Sequence, residues 1–304
     1  MISSEDAPAF PLCATIGIIG TGLIGGSMAL DIRHAGLSSA LLGTNRRPES
    51  SAEALRLGLI DRAVSLEELL CESELILLCI PAGAAAKMLP GILDRIGERI
   101  RSASASDRPQ PVVLDVCSVK GVIVDAVKGH PFRGRYVAGH PMSGTEYSGP
   151  SAAREDLFRG KAGILCDAED SDADAVALVE RLYDALGMRT VRMDSASHDV
   201  HTAYVSHLSH VLSFALALTV LEKEKDDKHI FDLASGGFSS TVRLAKSNAD
   251  MWVPVFSQNR KNLLGVMDAY LARLQEFRSA VEADDADAMR SLIEAANKIR
   301  RIIK

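Results

Sequence analysis

Apolar residues in the first two-thirds of the chain form short, nearly continuous runs, and the stretches between them have helical spacing. Runs of this kind are typical of strands buried on both faces. Strands are predicted over residues 14–20, 40–44, 74–81, 111–118, 135–141, 161–167 and 189–194. Helices are predicted over 22–35 and from Ala82 onward. This alternation predicts an α/β domain with a mostly parallel, doubly wound sheet.

After about Ser195 the apolar spacing becomes helical throughout. Helices are predicted over residues 196–223, 251–285 and 286–304, and 234–240 is the main break. Pro254 is expected in a first helical turn, where its missing N–H costs little. A thin, apolar helical layer usually needs a partner surface, which favours a homodimer over packing against its own first domain alone. The predicted domains are residues 1–195 and 196–304.

Composition narrows the possible partners. The chain has 304 residues and a formal net charge of -6, so nucleic acid is not an expected partner. No apolar run is expected to reach the roughly 18 residues of a membrane span, so no membrane partner is expected. Glu5 and Asp6 precede any apolar stretch, unlike the basic start of a signal peptide. The polar residues 101–111 are predicted to form a surface loop.

The five cysteines point to a reducing compartment. They are scattered, lack CxxC spacing and lie mostly in apolar runs (residues 13, 71, 79, 117 and 166). We interpret them as reduced core residues of a cytoplasmic protein, and no metal or redox site is expected from their spacing.

A glycine-rich turn joins the first predicted strand to the first helix. Gly20 permits the tight turn, Gly22 lets the backbone approach a pyrophosphate, and Gly25 lets helix and strand pack closely. The helix N-terminus would then offer unpaired N–H groups to phosphates. The turn therefore predicts a Rossmann-like dinucleotide site, rather than a purely structural glycine turn.

The residues after the second strand bear on which dinucleotide binds. An acid there would hydrogen-bond both ribose hydroxyls and repel a 2′-phosphate, but this chain has Asn45 followed by Arg46 and Arg47. Guanidinium groups form forked hydrogen bonds with phosphate. NADP is therefore favoured over NAD, the alternative being that both arginines only face solvent.

Two later strands end in residues suited to chemistry. Asp115, Ser118 and Lys120 follow one strand and are expected over the cofactor edge. His140, between Gly139 and Pro141, ends the next. The carboxyl ends of parallel strands are where ligands of such sheets bind. His140 is thus predicted to be catalytic, with a structural histidine on a turn as the alternative.

Five motifs together carry a family resemblance. They are GTGLIGGS (20–27), DVCSVKG (115–121), GHPMSGTEYSG (139–149), SHLSH (206–210) and GGF…R (236–243). In this order and spacing, from about Thr15 to about Leu274, the chain resembles the prephenate/arogenate dehydrogenases of tyrosine biosynthesis. The resemblance implies an N-terminal nucleotide-binding domain and a C-terminal, all-helical dimerisation domain.

The resemblance also implies roles for single residues. His140 would contact the 4-hydroxyl of a cyclohexadienol ring, Ser118 would share that hydroxyl beside the nicotinamide, and Arg243 would pair with a substrate carboxylate. Further substrate-side positions would be His207, His210, Thr145, Glu146 and Trp252. Cofactor contacts would come from Gly20, Gly22, Leu23, Ile24, Gly25, Asn45, Arg46, Arg47, Pro81 and Ser118.

These residue types suit an oxidative decarboxylation. Hydride leaves the hydroxyl-bearing carbon for the nicotinamide, a neutral imidazole accepts the hydroxyl proton, and the ring carboxylate departs as CO₂. Prephenate is the expected substrate. Arogenate, which has an amino group in place of the keto group, is the alternative substrate. Glu146 could pair with that ammonium or could equally close a loop.

The chain departs from the family pattern at Ser239 and Ser240, where an acid is expected, and at Ser209, which replaces a proline. No segment resembles a regulatory or mutase module, so a monofunctional enzyme is expected. Two other classes remain. A β-hydroxyacid dehydrogenase would need a catalytic lysine, for which Lys246 is the nearby candidate, and a dinucleotide-sensing regulator would leave His140, Ser118 and Arg243 unexplained.

Overall fold

The computed structural model describes residues 11–102, 109–226 and 229–302. Glu5 and Asp6, and most of the polar loop predicted over 101–111, lie outside these ranges.

Eight strands form one sheet in the described part of the chain. They are β1 (Cys13–Ile19), β2 (Ser38–Thr44), β3 (Arg62–Ala63), β4 (Leu75–Leu78), β5 (Val112–Asp115), β6 (Tyr136–Pro141), β7 (Ala162–Cys166) and β8 (Arg189–Met193). Their order is β3-β2-β1-β4-β5-β6-β7-β8. Only the β6–β7 pair is antiparallel among them. The mostly parallel sheet is thus confirmed, and the two-residue strand β3 was not predicted.

Helices cover both faces of this sheet. They are α1 (Leu23–His34), α2 (Pro48–Arg56), α3 (Leu66–Glu72), α4 (Ala82–Ser102), α5 (Gly121–Ala126) and α6 (Ala173–Ala185). Along β4, Leu75 and Leu77 join one apolar cluster and Ile76 and Leu78 join the other. Successive strand residues point to opposite faces, so an unbroken apolar run is needed when both faces are covered.

The strand order places a ligand crevice at the glycine turn. The chain passes outward from β1 to β2 and β3, then returns across β1 to β4 and β5. Ligands of open α/β sheets bind at such a reversal, outside the carboxyl ends of the strands. The turns after β1, β4, β5 and β6 therefore meet at one edge of the sheet.

The remainder of the described chain is helical, as predicted. Its helices are α7 (Ser195–Thr202), α8 (Leu208–Asp226), α9 (Gly236–Thr241), α10 (Ala249–Gln258), α11 (Arg260–Glu282) and α12 (Ala286–Asn297). A π-helical turn, Ala203–His207, joins α7 to α8 without a break. The segment 234–240, predicted as a break, contains most of the short helix α9.

The expected position of Pro254 is wrong. The side chain of Asn248 accepts the N–H of Asp250 at 2.8 Å and starts α10 at Ala249, two residues earlier than predicted. Pro254 consequently lies in the second turn of α10. The predicted helix 251–285 is also divided, because α10 ends before Asn259 and α11 starts at Arg260.

One helix in the described chain is long and apolar enough to cross a membrane. The continuous helix Ser195–Asp226 has 32 residues. Its most apolar 18-residue window has a mean hydropathy of 1.5, and 11% of that window is buried inside the protein. Polar residues are interspersed among the apolar ones along this helix, so no unbroken apolar run marks it in the sequence. The expectation that no apolar run is long enough is therefore wrong by length and composition alone, and the absence of a membrane partner stays a prediction.

The cysteines are all free, and four of the five lie at least partly inside the protein. Cys13, Cys117 and Cys166 are buried and Cys79 is half-buried, whereas Cys71 on α3 is exposed. Burial raises the pKa of the Cys13 thiol to about 12. The interpretation as core residues therefore fails only for Cys71.

Candidate active site

The turn between β1 and α1 has the geometry of a pyrophosphate site. Gly20 has φ +96°, a conformation that favours glycine, and a Cβ there would meet the Cys79 carbonyl oxygen at 2.4 Å. A Cβ on Gly25 would meet the Gly20 carbonyl oxygen at 2.2 Å, which explains the close approach of α1 to β1. A Cβ on Gly22 would meet no described atom within 4 Å. The backbone at Gly22 is therefore open to a ligand.

The N-terminus of α1 completes this site. Gly22 caps the twelve-residue helix without a side-chain hydrogen bond, so its first N–H groups remain available to a phosphate. Leu23 and Ile24 form the first turn and pack partly against the core. Pro81 follows β4 at the same edge, and its carbonyl accepts the N–H of Ala84 where α4 begins. These residues fit a dinucleotide.

Asn45 holds the glycine turn from the end of β2. Its Oδ1 accepts the backbone N–H of Thr21 at 2.9 Å. Its Nδ2 donates to Thr21 Oγ1 at 2.8 Å and to Ser51 Oγ at 3.2 Å. Asn45 thus has a structural role that the sequence analysis did not assign, besides its predicted place near the ribose.

Arg46 and Arg47 follow Asn45 at the start of α2 and are both exposed. Neither forms an ion pair with the described residues. Their guanidinium groups therefore remain available beside the cofactor edge, as an anion site on this loop requires.

Asp115 and Lys120 lie beneath the cofactor edge, not over it. Both are fully buried, and the Lys120 ammonium contacts Asp115 Oδ1 and the Gly139 carbonyl. Asp115 Oδ2 accepts the Tyr136 hydroxyl at 2.7 Å. The expectation that these two side chains line the cofactor is wrong, because the pair instead ties the ends of β5 and β6 together.

Ser118 remains at the surface of the crevice. It is half-buried in the loop after β5 and follows Cys117, whose Sγ lies 3.2 Å from the Ile80 carbonyl. The loops after β4 and β5 are therefore in contact at this edge. The cofactor roles of Ser118 and Pro81, which belong to these two loops, stay predictions.

His140 lies near the end of β6 and belongs to a chain of buried polar groups. It is 8% exposed, and its Nδ1 lies 2.8 Å from His198 Nε2. His198 Nδ1 in turn lies 2.8 Å from Asp199 Oδ1. Burial holds the pKa of His140 well below its ordinary value. Electrostatic effects of His198, Lys120 and His207 lower it further. His140 is therefore a neutral imidazole at physiological pH.

The carboxylate of Asp199 remains ionised inside the protein. Burial by itself would raise its pKa, but hydrogen bonds from His198 and from the backbone N–H groups of Lys120 and Gly121 lower it overall. The two backbone bonds measure 2.8 and 2.9 Å. Asn259 Nδ2 donates to the Asp199 carbonyl at 2.7 Å and lies 3.1 Å from His207 Nδ1.

The predicted residues of the helical domain form an aromatic cluster. His210 stacks on Trp252 with 3.5 Å between ring centroids, and His207 meets the same indole edge-on at 6.0 Å. Burial lowers the pKa of His207 to about 4 and also lowers that of His210. His207 Nε2 and Trp252 Nε1 are buried without a hydrogen-bond partner among the described residues. Buried polar atoms of this kind commonly form their hydrogen bond with a ligand or an ordered water.

Arg243 and Glu146 face each other across the domain boundary. Arg243 Nη1 lies 3.7 Å from Glu146 Oε2, and the two side chains are 55% and 21% exposed. Thr145 precedes Glu146, and its Oγ1 accepts the Tyr147 N–H at 3.2 Å. Glu146 therefore connects the loop after β6 to the helical domain. More than half of the Arg243 side chain stays exposed to solvent.

A cavity of about 630 Å³ lies beside this ion pair. The loop after β6 lines one side, including Glu146, Tyr147 and Arg154, and Lys246 and Asn248 line the other. The cavity is thus lined from both sides of the domain boundary and shares Glu146 with the ion pair.

Three residues of the buried polar groups around His140 were not predicted from the sequence. They are His198, Asp199 and Asn259. The adjacent His-Asp pair, just after the last strand, was the available signal. It lies within an apolar helical stretch, so its partners were not evident before the fold was known.

Comparisons with known proteins agree over nearly the whole chain. The model described as "Prephenate dehydrogenase, nucleotide-binding domain" matches residues 28–192, and that described as "Prephenate dehydrogenase, dimerization domain" matches residues 194–295. The prephenate dehydrogenase of Bacillus subtilis is 30% identical over 288 residues, covering 94% of this chain and 75% of that protein. The cyclohexadienyl dehydrogenase of Zymomonas mobilis is 28% identical over 297 residues, covering 95% and 96%.

Solved structures show the same similarity. The prephenate dehydrogenase from A. aeolicus, in complex with hydroxyphenyl propionate and NAD+, superposes with a TM-score of 0.82 at 26% identity, covering 98% of this chain and 100% of that chain. The Synechocystis arogenate dehydrogenase gives a TM-score of 0.72 at 29% identity, covering 95% and 100%. With a nucleotide-binding and a dimerisation domain in the same order, this chain belongs to the prephenate dehydrogenase family of pyridine-nucleotide-dependent oxidoreductases.

Proposed function

We propose that this protein oxidatively decarboxylates prephenate to 4-hydroxyphenylpyruvate, using NADP or NAD. The observation that carries the proposal is His140, a buried imidazole that burial keeps neutral at the edge of the dinucleotide crevice. A neutral imidazole there can accept the hydroxyl proton. A bound oxidised nicotinamide would supply the hydride acceptor.

The other predicted residues would hold the substrate in place. Ser118 would donate to or accept from the ring hydroxyl, and the exposed guanidinium of Arg243 would form a forked contact with a carboxylate. His207 Nε2 and Trp252 Nε1 would find partners on the substrate. Since loss of CO₂ makes the ring aromatic, the protein mainly has to align the substrate with the nicotinamide.

Arogenate is the second candidate substrate. Glu146 is the acid that could pair with the arogenate ammonium, and it is only 21% exposed. Its carboxylate already faces Arg243, however, which supports a loop-closing role and favours prephenate.

Turnover on the two substrates tests the proposal directly. The absorbance of reduced nicotinamide should rise when prephenate is added with either oxidised cofactor, and kcat/KM should be higher for prephenate than for arogenate. The same chain without substrate is the control. Absence of reduced cofactor with both substrates would contradict the proposed function.

NADP is the proposed preferred cofactor. Arg46 and Arg47 are exposed beside the turn, they lack ion-pair partners among the described residues, and Asn45 carries no charge to repel a 2′-phosphate. The A. aeolicus relative was solved with NAD+, so the preference needs its own test.

Asn45→Asp is expected to lower kcat/KM for NADP by about tenfold and to improve NAD use, because a carboxylate repels the 2′-phosphate. The variant should fold, since the Thr21 N–H and the Thr21 and Ser51 hydroxyls can all donate to Asp. Steady-state kinetics with both cofactors measure the ratio. Arg56→Gln, an exposed charge change at the far end of α2, is the matched control. A parent enzyme that strongly prefers NAD would refute the assignment.

A homodimer through the helical domain is proposed, with the domains divided at 195/196. Large apolar side chains of α8, α11 and α12 are about half or more exposed, including Leu218, Leu271 and Ile293. A second copy packed on this face would bury them, and would account for the long apolar helix without a membrane. Light scattering should give twice the chain mass. We also propose a cytoplasmic location, in keeping with five free cysteines.

A further inference from the structure

Two adjacent residues of α7 connect His140 to a buried carboxylate. His198 is 1% exposed and lies between His140 Nδ1 and Asp199 Oδ1, 2.8 Å from each. The strand β6 supplies one histidine and the helical domain supplies the other two groups. The site is therefore assembled only when both domains are packed together.

The hydrogen bonds of Asp199 determine where each proton lies. Its Oδ1 accepts the Lys120 N–H and its Oδ2 accepts the Gly121 N–H, as an ionised carboxylate does. His198 must then carry its proton on Nδ1 and present a lone pair at Nε2. His140 accordingly donates from Nδ1, which leaves its Nε2 as the unprotonated nitrogen.

We propose that His198 and Asp199 form a proton relay with His140, resting on the function proposed above. As His140 Nε2 takes the proton of the substrate hydroxyl, the proton on His140 Nδ1 passes to His198 Nε2. His140 ends neutral, and the positive charge rests on His198 against the Asp199 carboxylate. A bound oxidised nicotinamide would supply the hydride acceptor, and the ring carboxylate would depart as CO₂.

The surroundings of His140 explain why the charge should move. The His140 ring contacts His198 and lies within electrostatic range of Lys120 and His207, and no carboxylate contacts it among the described residues. A cation held on His140 would be desolvated and repelled. A cation on His198 instead contacts the Asp199 carboxylate 2.8 Å away, so the charge is better placed there than on His140. This is the general arrangement in which a third group orients and supports a catalytic base.

The test variant is His198→Gln. A glutamine amide can still accept from His140 and donate to Asp199, but it cannot carry a proton. We expect kcat to fall by about 10–100-fold while KM and cofactor affinity stay within about twofold. The acid limb of the kcat profile should also move to lower pH, because the charge next to Asp199 is lost. His201→Gln, the same change at an exposed position of α7, is the matched control and should retain parental kinetics.

An unchanged kcat and pH profile in His198→Gln would overturn the relay, as would a rise in KM alone. A measurement on the parent protein avoids dependence on folding of the variant. Imidazole 15N chemical shifts should show both His140 and His198 protonated at Nδ1 and unprotonated at Nε2. The opposite tautomer at either ring would overturn the relay even if the parent enzyme is active. Lack of turnover by the parent on both substrates would instead refute the proposed function.

Discussion

His140→Asn is expected to lower kcat by about 10²–10⁴-fold, the range typical of a lost general base. The imidazole is 8% exposed, and burial holds its pKa well below the ordinary value. It is thus an unprotonated base at neutral pH, and its Nδ1 is occupied by His198, which leaves Nε2 for the substrate. Asparagine fits the site and can still contact His198, but an amide accepts no proton. Steady-state turnover measures the loss.

Cofactor binding should be unaffected in this variant, since the glycine turn belongs to β1 and α1 and His140 belongs to β6. Titration of the nucleotide should therefore give a parental Kd, which separates lost chemistry from lost folding. His201→Asn, an exposed histidine on α7, is the matched substitution and should keep parental turnover. Near-parental kcat in His140→Asn would remove this residue from the mechanism.

Arg243→Ala is expected to raise KM by roughly 10–100-fold with a smaller change in kcat. Charge-assisted, forked hydrogen bonds to a carboxylate contribute about 1.5–3 kcal/mol, and they bind ground state and transition state alike. The guanidinium is 55% exposed and 3.7 Å from Glu146, so it can rotate toward a ligand without leaving a buried partner unpaired. Initial-rate kinetics over a range of substrate concentrations separate KM from kcat.

Two further variants make this result specific. Arg243→Lys keeps the charge but loses the planar fork, so its KM should fall between those of the parent and Arg243→Ala. Lys246→Ala removes an exposed cation from the same helical turn and should change KM little. If Lys246→Ala instead abolished kcat, a lysine-based dehydrogenase would be the better interpretation. An unchanged KM in Arg243→Ala would contradict the substrate-binding role.

The fold could be predicted where the determinants are local. The apolar run of β4 indicated a strand that is buried on both faces, because alternate residues pack against the helices on opposite sides of the sheet. The turn at Gly20 was evident from the spacing of its glycines. That spacing is fixed because the tight turn, the approach of the backbone to a ligand and the packing of helix on strand each need a glycine. The position of Pro254 was predicted wrongly because Asn248 caps α10 and starts it two residues before the apolar spacing begins.

The candidate site was only partly predictable. His140 was found because strand ends meet at one edge of a parallel sheet. Asp115 and Lys120 end the neighbouring strand in the same way, yet they are fully buried as a pair. Sequence position at a strand end does not reveal whether a side chain points above the edge or beneath it, and that depends on how the next strand packs.

The sequence by itself determined the layered sheet, the glycine turn, the helical second domain and the family, since each depends on spacing within one element or on the order of motifs. Only the tertiary structure decided which groups surround His140. His198 is 58 residues away in the chain, and it reaches the imidazole because α7 packs against the loop after β5 through Asp199. Periodicity reports which face of an element is buried, whereas a contact between two buried polar groups depends on the relative position of two domains.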